Sequence, residues 1–185
     1  RSRQAEARFL RAFNYFSMVK RYGGVPLITK AQQITDTEDE LFLARNKEHE
    51  IYDFVIAEMD AILGDLSQTK APVRYGKPTK YAALALKCRA ALYAGSIAKY
   101  GSVQLEGIVG IDNGKANGYY QTAYDAAKAI QSAGQFSLYK EDEDKSTNFR
   151  NIFLKKNNSE VIFAIIHDKI NSQQGGNGWA WDWIE

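Results

Sequence analysis

The sequence predicts a mainly α-helical protein: an irregular tetratricopeptide-like scaffold of helical hairpins, with long loops and a short strand near the C-terminus. Three observations predict it. Apolar residues recur at helical spacing in four long segments. Glycine and proline clusters separate those segments by loops of uneven length. One run alone, near the C-terminus, is short, apolar and β-branched enough to read as a strand.

The first segment, residues 2–22, carries Ala5, Phe9, Ala12, Phe13, Phe16 and Val19 at helical spacing, with Leu10, Tyr15 and Met18 on other sides. A helix apolar around so much of its circumference is expected to be largely buried. Arg8 and Arg11 lie three apart and share a face that can reach acidic partners, and Glu6 is placed where the N-terminal helix dipole favours a carboxylate. Gly23-Gly24 stops the helix and Pro26 blocks its resumption. Val25-Pro-Leu-Ile28 then reads as an extended piece against the core. Residues 30–44, with Thr35-Asp-Thr-Glu-Asp-Glu40, read as an acidic surface loop.

A second helix is predicted over 47–66 from Ile51, Val55, Met59, Ile62, Leu63 and Leu66. A linker with two prolines follows over 70–78. Pro78-Thr79 opens a third helix to about residue 100, with the stripe Tyr81, Leu84, Ala85, Cys88, Ala91 and Leu92. Residues 101–118 are glycine-rich and irregular. A fourth helix, about 119–133, places Tyr120, Ala123, Tyr124, Ala127 and Ile130 in register, with Gly134 as its stop. The third and fourth helices read as one tetratricopeptide-type hairpin with an inserted loop, although the repeat period is not kept. Phe136-Ser-Leu-Tyr139 is an expected extended piece, Glu141 to Asp144 a solvent-facing acidic run, and 148–153 a turn or two of helix. Glu160-Val-Ile-Phe-Ala-Ile-Ile-His167 is the strand.

Composition narrows function. The 185 residues are 45% hydrophobic and 25% charged, enough for one domain with a real core. A formal net charge of +2, with basic and acidic residues interleaved, gives no nucleic-acid footprint. The lone Cys88 excludes an internal disulfide and reads as a small buried hydrophobe. No run of about 18 apolar residues suggests a membrane-spanning helix. His49 and His167 lack ligand-spaced partners, and no nucleophile-elbow, zinc-protease or phosphate-loop pattern occurs. Asp112-Asn-Gly-Lys-Ala-Asn-Gly118 lacks the alternating acids and closing Glu of a calcium loop. No metal, no cofactor and no catalytic residue is expected. The chain begins Arg1-Ser-Arg with no apolar leader and ends at Trp183-Ile-Glu185, which reads as a single domain, residues 1–185, cut from a longer protein at both ends.

Several blocks resemble the RagB/SusD family of SusD-like nutrient-binding lipoproteins. Residues 5–28, an aromatic-rich helix followed by Tyr-Gly-Gly-Val-Pro-Leu, resemble the family's signature helix and turn. Tyr52 to Asp60, Gly76 to Ala94, Tyr120 to Tyr139 and Asn158 to Phe163 resemble the family's later blocks, in the same order. The resemblance implies a tetratricopeptide-like scaffold at the outer-membrane surface, lipid-anchored in the full-length protein. It further implies binding of oligosaccharides, polysaccharides or other nutrients, and delivery to a SusC-like TonB-dependent transporter. The signature helix itself reads as scaffold.

Within this chain the expected ligand residues lie in the tail. Trp179, Trp181 and Trp183 alternate, so an extended strand would put all three indoles on one side. Sugar rings stack their C–H faces on such planes, while hydroxyls need groups like Asn177 and Asp182. Two other readings stay open: a tetratricopeptide protein-interaction module without a ligand pocket, and a glycoside hydrolase, whose two carboxylates would meet only in space.

Overall fold

A computed structural model describes residues 1–69, 76–155 and 158–164. Six helices occur among them: α1 (Ser2–Tyr22), α2 (Glu38–Leu41), α3 (Glu48–Ile62), α4 (Lys80–Tyr100), α5 (Ala116–Ser132) and α6 (Lys145–Leu154). Short 3₁₀ turns at Leu105–Gly107 and Asn113–Lys115 punctuate the α4–α5 loop. The helices pack in chain order, α1 on α3, α3 on α4 and α4 on α5, with α4–α5 the most extensive pairing.

The core follows from the helical spacing. Ala5, Phe9, Ala12, Tyr15, Phe16 and Val19 of α1 meet Ile51, Tyr52, Val55, Met59 and Ile62 of α3. The rings of Phe16 and Tyr52 meet edge to face at 6.4 Å. α1 is buried on one face rather than all round: Leu10 is 54% exposed, because α3 and α4 cover only one side. α4 is buried more widely, and its small residues explain how. Ala83, Ala90, Ala91, Ala94 and Ala98 are shut from solvent, and a methyl added at Gly95 would sit 2.9 Å from the Tyr120 ring. Small side chains let α3 and α5 approach α4 closely.

Local chemistry sets most boundaries. Gly23 takes φ +69 at the end of α1, a conformation costly for a residue with Cβ. Thr79 caps α4, accepting from the Ala82 amide at 3.4 Å, and Asp144 caps α6, accepting from the Thr147 amide at 2.7 Å. Gly134 follows α5 at φ +62. Glu6 lies beyond the first turn of α1, which holds no acidic residue, so the expected dipole role does not apply.

Other expectations shift. The second helix stops at Ile62, and residues 63–66 turn. Residues 38–41, expected as loop, form one helical turn, with the Thr37 amide and hydroxyl both donating to Glu40. The buried face of α5 is Ala116, Tyr119, Ala123 and Ala126, while Tyr124 is 62% exposed. The stripe is rotated because Tyr119 can bury its ring and still donate its hydroxyl to Asp53 at 2.7 Å. Leu92 of α4, expected in the core, is 50% exposed. The expected strand is not formed over its described residues, 160–164. Among the described residues no neighbouring segment supplies a ladder there, and Phe163 instead packs edge-on against Phe9 at 5.4 Å. No helix of the described residues is long and apolar enough to cross a membrane.

Candidate functional site

A charge clamp ties the signature segment to α3. Arg8 donates to Glu58 from two nitrogens, at 3.0 and 2.7 Å, and Arg11 donates to the same carboxylate at 2.8 Å. The shared face predicted for the two arginines therefore clamps one acid of α3. The Arg8 hydrogen bonds hold the Glu58 carboxyl below its ordinary range. Arg11 also lies over the Phe54 ring, and Tyr15 ties the Val-Pro-Leu-Ile segment to α1 by accepting from the Ile28 amide at 2.8 Å.

Gly23 and Gly24 serve close approach as much as chain reversal. A methyl on Gly23 would fall 2.5 Å from the Ile108 carbonyl oxygen, and one on Gly24 1.8 Å from that of Asn46. The Gly24 amide donates to Ile108 at 2.7 Å. The end of α1 is thus a junction where the segment before α3 and the α4–α5 loop both reach its backbone. Glu48, 5% exposed, accepts from the Gly110 amide at 2.5 Å in the same junction, and burial pushes its carboxyl up.

Two of the recesses among the described residues lie elsewhere. One, of about 510 Å³, is built between residues 138–142 and α6. A polar network forms its base. Asp142 accepts from Asn151 at 2.8 Å and from the Tyr139 hydroxyl at 3.2 Å, Asn148 donates to the Tyr139 carbonyl at 2.7 Å, and Glu160 accepts from the Tyr139 amide. The Asn151 bond holds the Asp142 carboxyl low. Its rim carries the exposed rings and chains of Phe149 and Leu138 beside Lys140 and Lys145. The second, of about 530 Å³, runs between α1 and α4 over Phe9, Phe13 and Phe16, with Lys20 and Arg89 at its edge and residues 160–164 along one wall.

Asp142 and Glu160 are each engaged by protein donors, and no group of three metal-ligating side chains occurs among the described residues. Asp112 and Asn113 act structurally: Asp112 accepts from the Gly114 amide, and Asn113 donates to the Ala98 carbonyl at the end of α4. Cys88 is partly buried, and burial raises its thiol. His49 is half-buried on α3, whereas His167 lies outside the described residues.

The expected ligand residues Asn177, Trp179, Trp181, Asp182 and Trp183 also lie outside the described residues. The network at 139–160 was not anticipated. The acidic run 141–144 reads as solvated, yet Asp142 is half-buried and its Oδ2 accepts from Asn151 and Tyr139. The spacing of Asp142, Asn148 and Asn151 was the available signal, since short polar side chains this close to a helix start bond to local backbone.

Comparison with known proteins agrees with the geometry. Residues 1–92 match a SusD-like family model described as starch-binding and associating with the outer membrane. A solved SusD-like protein from Bacteroides fragilis superposes with a TM-score of 0.67 at 29% identity, over 89% of this chain and 27% of that one. A laminarin-binding SusD-like protein superposes with a TM-score of 0.60 at 22% identity, over 86% and 29%. A structure solved with a xylogluco-oligosaccharide superposes with a TM-score of 0.57 at 23% identity, over 87% and 28%. No curated protein matches the sequence. The chain spans under a third of the length of each of these solved structures. By the match over residues 1–92 and the superposition on a solved SusD-like protein, the chain is SusD-like.

Proposed function

We propose that the chain is part of a non-catalytic, cell-surface protein that binds glycans or related nutrients and delivers them to a SusC-like TonB-dependent transporter in the outer membrane. The observation that carries the reading is the family match over residues 1–92, described as starch-binding and outer-membrane-associated. Two structural neighbours are laminarin-binding or were solved with a xylogluco-oligosaccharide, and the same ligand class is proposed here. A lipid anchor on the full-length protein would hold it at the surface. Glycan contact is assigned to the indoles of Trp179, Trp181 and Trp183, with Asn177 and Asp182 as hydroxyl partners. An aromatic plane stacks on sugar C–H faces, and a nearby amide and carboxylate bond the hydroxyls.

The interaction-module reading has less support. Its natural binding groove, between α1 and α4, is partly filled by this chain's own residues 160–164, with Phe163 against Phe9. A hydrolase needs two free carboxyls across a cleft, and those at the described recess are occupied by protein donors.

The test is calorimetry and affinity electrophoresis of the full-length protein against a polysaccharide panel including laminarin and xyloglucan. The expected result is saturable binding without release of reducing ends, lost when the three tryptophans become alanine while the melting temperature holds. Silence across the panel, or turnover, overturns the proposal.

A further inference from the structure

Four helix termini converge on the Gly23-Gly24 junction: the C-terminal ends of α1 and α4 and the N-terminal ends of α3 and α5. Gly24 bonds Ile108, Asn46 bonds Val25, Glu48 bonds Gly110, and Asn113 bonds the last turn of α4. This end of the bundle is basic. Lys20, Arg21, Arg45, Lys47, Lys99 and Lys115 are all exposed there, against the exposed carboxylates of Glu50, Glu106 and Asp112. Helix dipoles explain Lys20, Arg21 and Lys99, which occupy last turns. They do not explain Lys47 and Lys115, which sit at the N-terminal ends of α3 and α5, where a cation opposes the dipole.

The same end exposes large apolar groups: Tyr100 at 81%, Leu105 at 66%, Tyr22 at 63% and Val103 at 53%. Leu105 and Glu106 hold φ of 48 and 55 without being glycine, which costs about 1 kcal/mol or more apiece. The loop bearing them is fixed by the buried Glu48, by a bridge between Gln104 and Val109, and by the Gly24 bond. A strained loop held rigidly by a buried carboxylate, presenting aliphatic and tyrosine side chains within a cationic rim, has the make-up of a protein interface.

We infer that this end of the bundle, centred on Leu105 and Tyr100 and rimmed by Lys47, Lys99 and Lys115, docks on an acidic protein surface with an apolar recess. Charge complementarity selects the occupant, and the aliphatic tips disfavour a glycan, which needs hydrogen-bonding groups beside its stacking faces. That the partner is the transporter rests on the function proposed above.

The test uses the full-length protein and the purified TonB-dependent transporter proposed as its partner, followed by surface plasmon resonance at about 50 and about 300 mM salt, across which charge screening rises steeply. Leu105→Gly removes the tip and relieves its backbone strain. Lys115→Glu, with Lys47→Gln, reverses part of the rim while favouring the helix starts. The expected result is affinity about tenfold weaker for Leu105→Gly, with an unchanged or higher melting temperature. The charge variants should associate more slowly at low salt and converge with the unaltered protein at high salt. Variants that bind the transporter normally overturn the surface assignment alone. Charge variants that instead lose binding to phosphatidylcholine vesicles containing phosphatidylglycerol overturn it in favour of a lipid surface. An unaltered protein that binds glycan but no transporter overturns the partnership and this surface with it.

Discussion

Glu58→Gln is the sharpest perturbation of the scaffold. The Glu58 side chain is 10% exposed, and it receives bonds from two arginines whose side chains are 33% and 34% exposed. Removing one partner of a fully buried ion pair costs about 3–5 kcal/mol, whereas exposed pairs contribute about 0–1 kcal/mol. The intermediate exposure of Arg8 and Arg11 puts the loss near 2 kcal/mol. At about 2–4 °C per kcal/mol for a domain this size, the melting temperature should fall by about 4–8 °C at pH 7. The pH dependence checks the cause. Arg8, chiefly, lowers the folded-state pKa of Glu58 below its ordinary 4.5. The unfolded chain therefore binds the proton first, and the contribution is complete above pH 4.5 and drains away as pH falls through the folded value. Thermal unfolding followed by circular dichroism should show the two proteins' curves separated at neutral pH and converging in acid. A fall under about 2 °C, or curves that stay parallel down to pH 3, would refute the clamp as a stabilising element.

Other perturbations follow from the same packing. Gly24→Ala places a methyl 1.8 Å from the Asn46 carbonyl oxygen and should prevent folding or cost more than about 3 kcal/mol, read by chemical denaturation. Gly118→Ala, with open space around it inside α5, should instead stabilise by about 0.5–1 kcal/mol. Tyr119→Phe loses the bond to Asp53 and should cost about 1 kcal/mol, whereas Tyr52→Phe removes a buried hydroxyl that has no partner among the described residues and should be neutral or stabilising by the same measurement. Glu48→Gln tests the junction. Burial raises the Glu48 pKa, so the folded chain holds its proton longer than the unfolded one, and stability drops as pH rises from 4.5 through the folded value. The glutamine variant should lose that downward slope while its side-chain oxygen still accepts from Gly110. An unchanged slope would contradict the assignment.

The helices were legible because their causes are local. The bounds of α1 agree with expectation, since its apolar period runs unbroken from Ala5 to Val19 and glycine stops it. Thr79 and Gly134 likewise act through their own neighbours. What escaped the sequence depends on partners far along the chain. Nothing near Glu48 says that its carboxylate will meet Gly110, so it reads as an ordinary first-turn acid. The face of α5 was misjudged by one position because Tyr119 and Tyr120 are equivalent locally, and only Asp53 and Gly95 distinguish them. The 160–164 run satisfies every local criterion for a strand, yet a strand also requires a neighbouring backbone. Among the described residues that run finds an aromatic contact at Phe9 instead. Of the candidate site, the recess network was hidden by its own composition, since Asp142 and Asn148 belong to types that are usually solvated.

The glycine pair shows how a family signature and a functional surface can be coupled without overlapping. Gly23 and Gly24 carry no side chain and line neither of the two recesses described above. Their missing methyls are what allow Asn46 and Ile108 to lie against the end of α1. That contact in turn fixes the loop whose outward residues include Val103, Leu105 and Glu106. A scaffold that must present a strained apolar loop at a constant angle needs the loop's backbone anchored to a helix end rather than to mobile side chains. Two adjacent glycines, with Glu48 holding the far side of the same loop, supply that anchor. Substituting the glycines should thus impair partner docking and folding together. Substituting Leu105 should separate them, because its side chain faces outward and its strain is relieved by glycine.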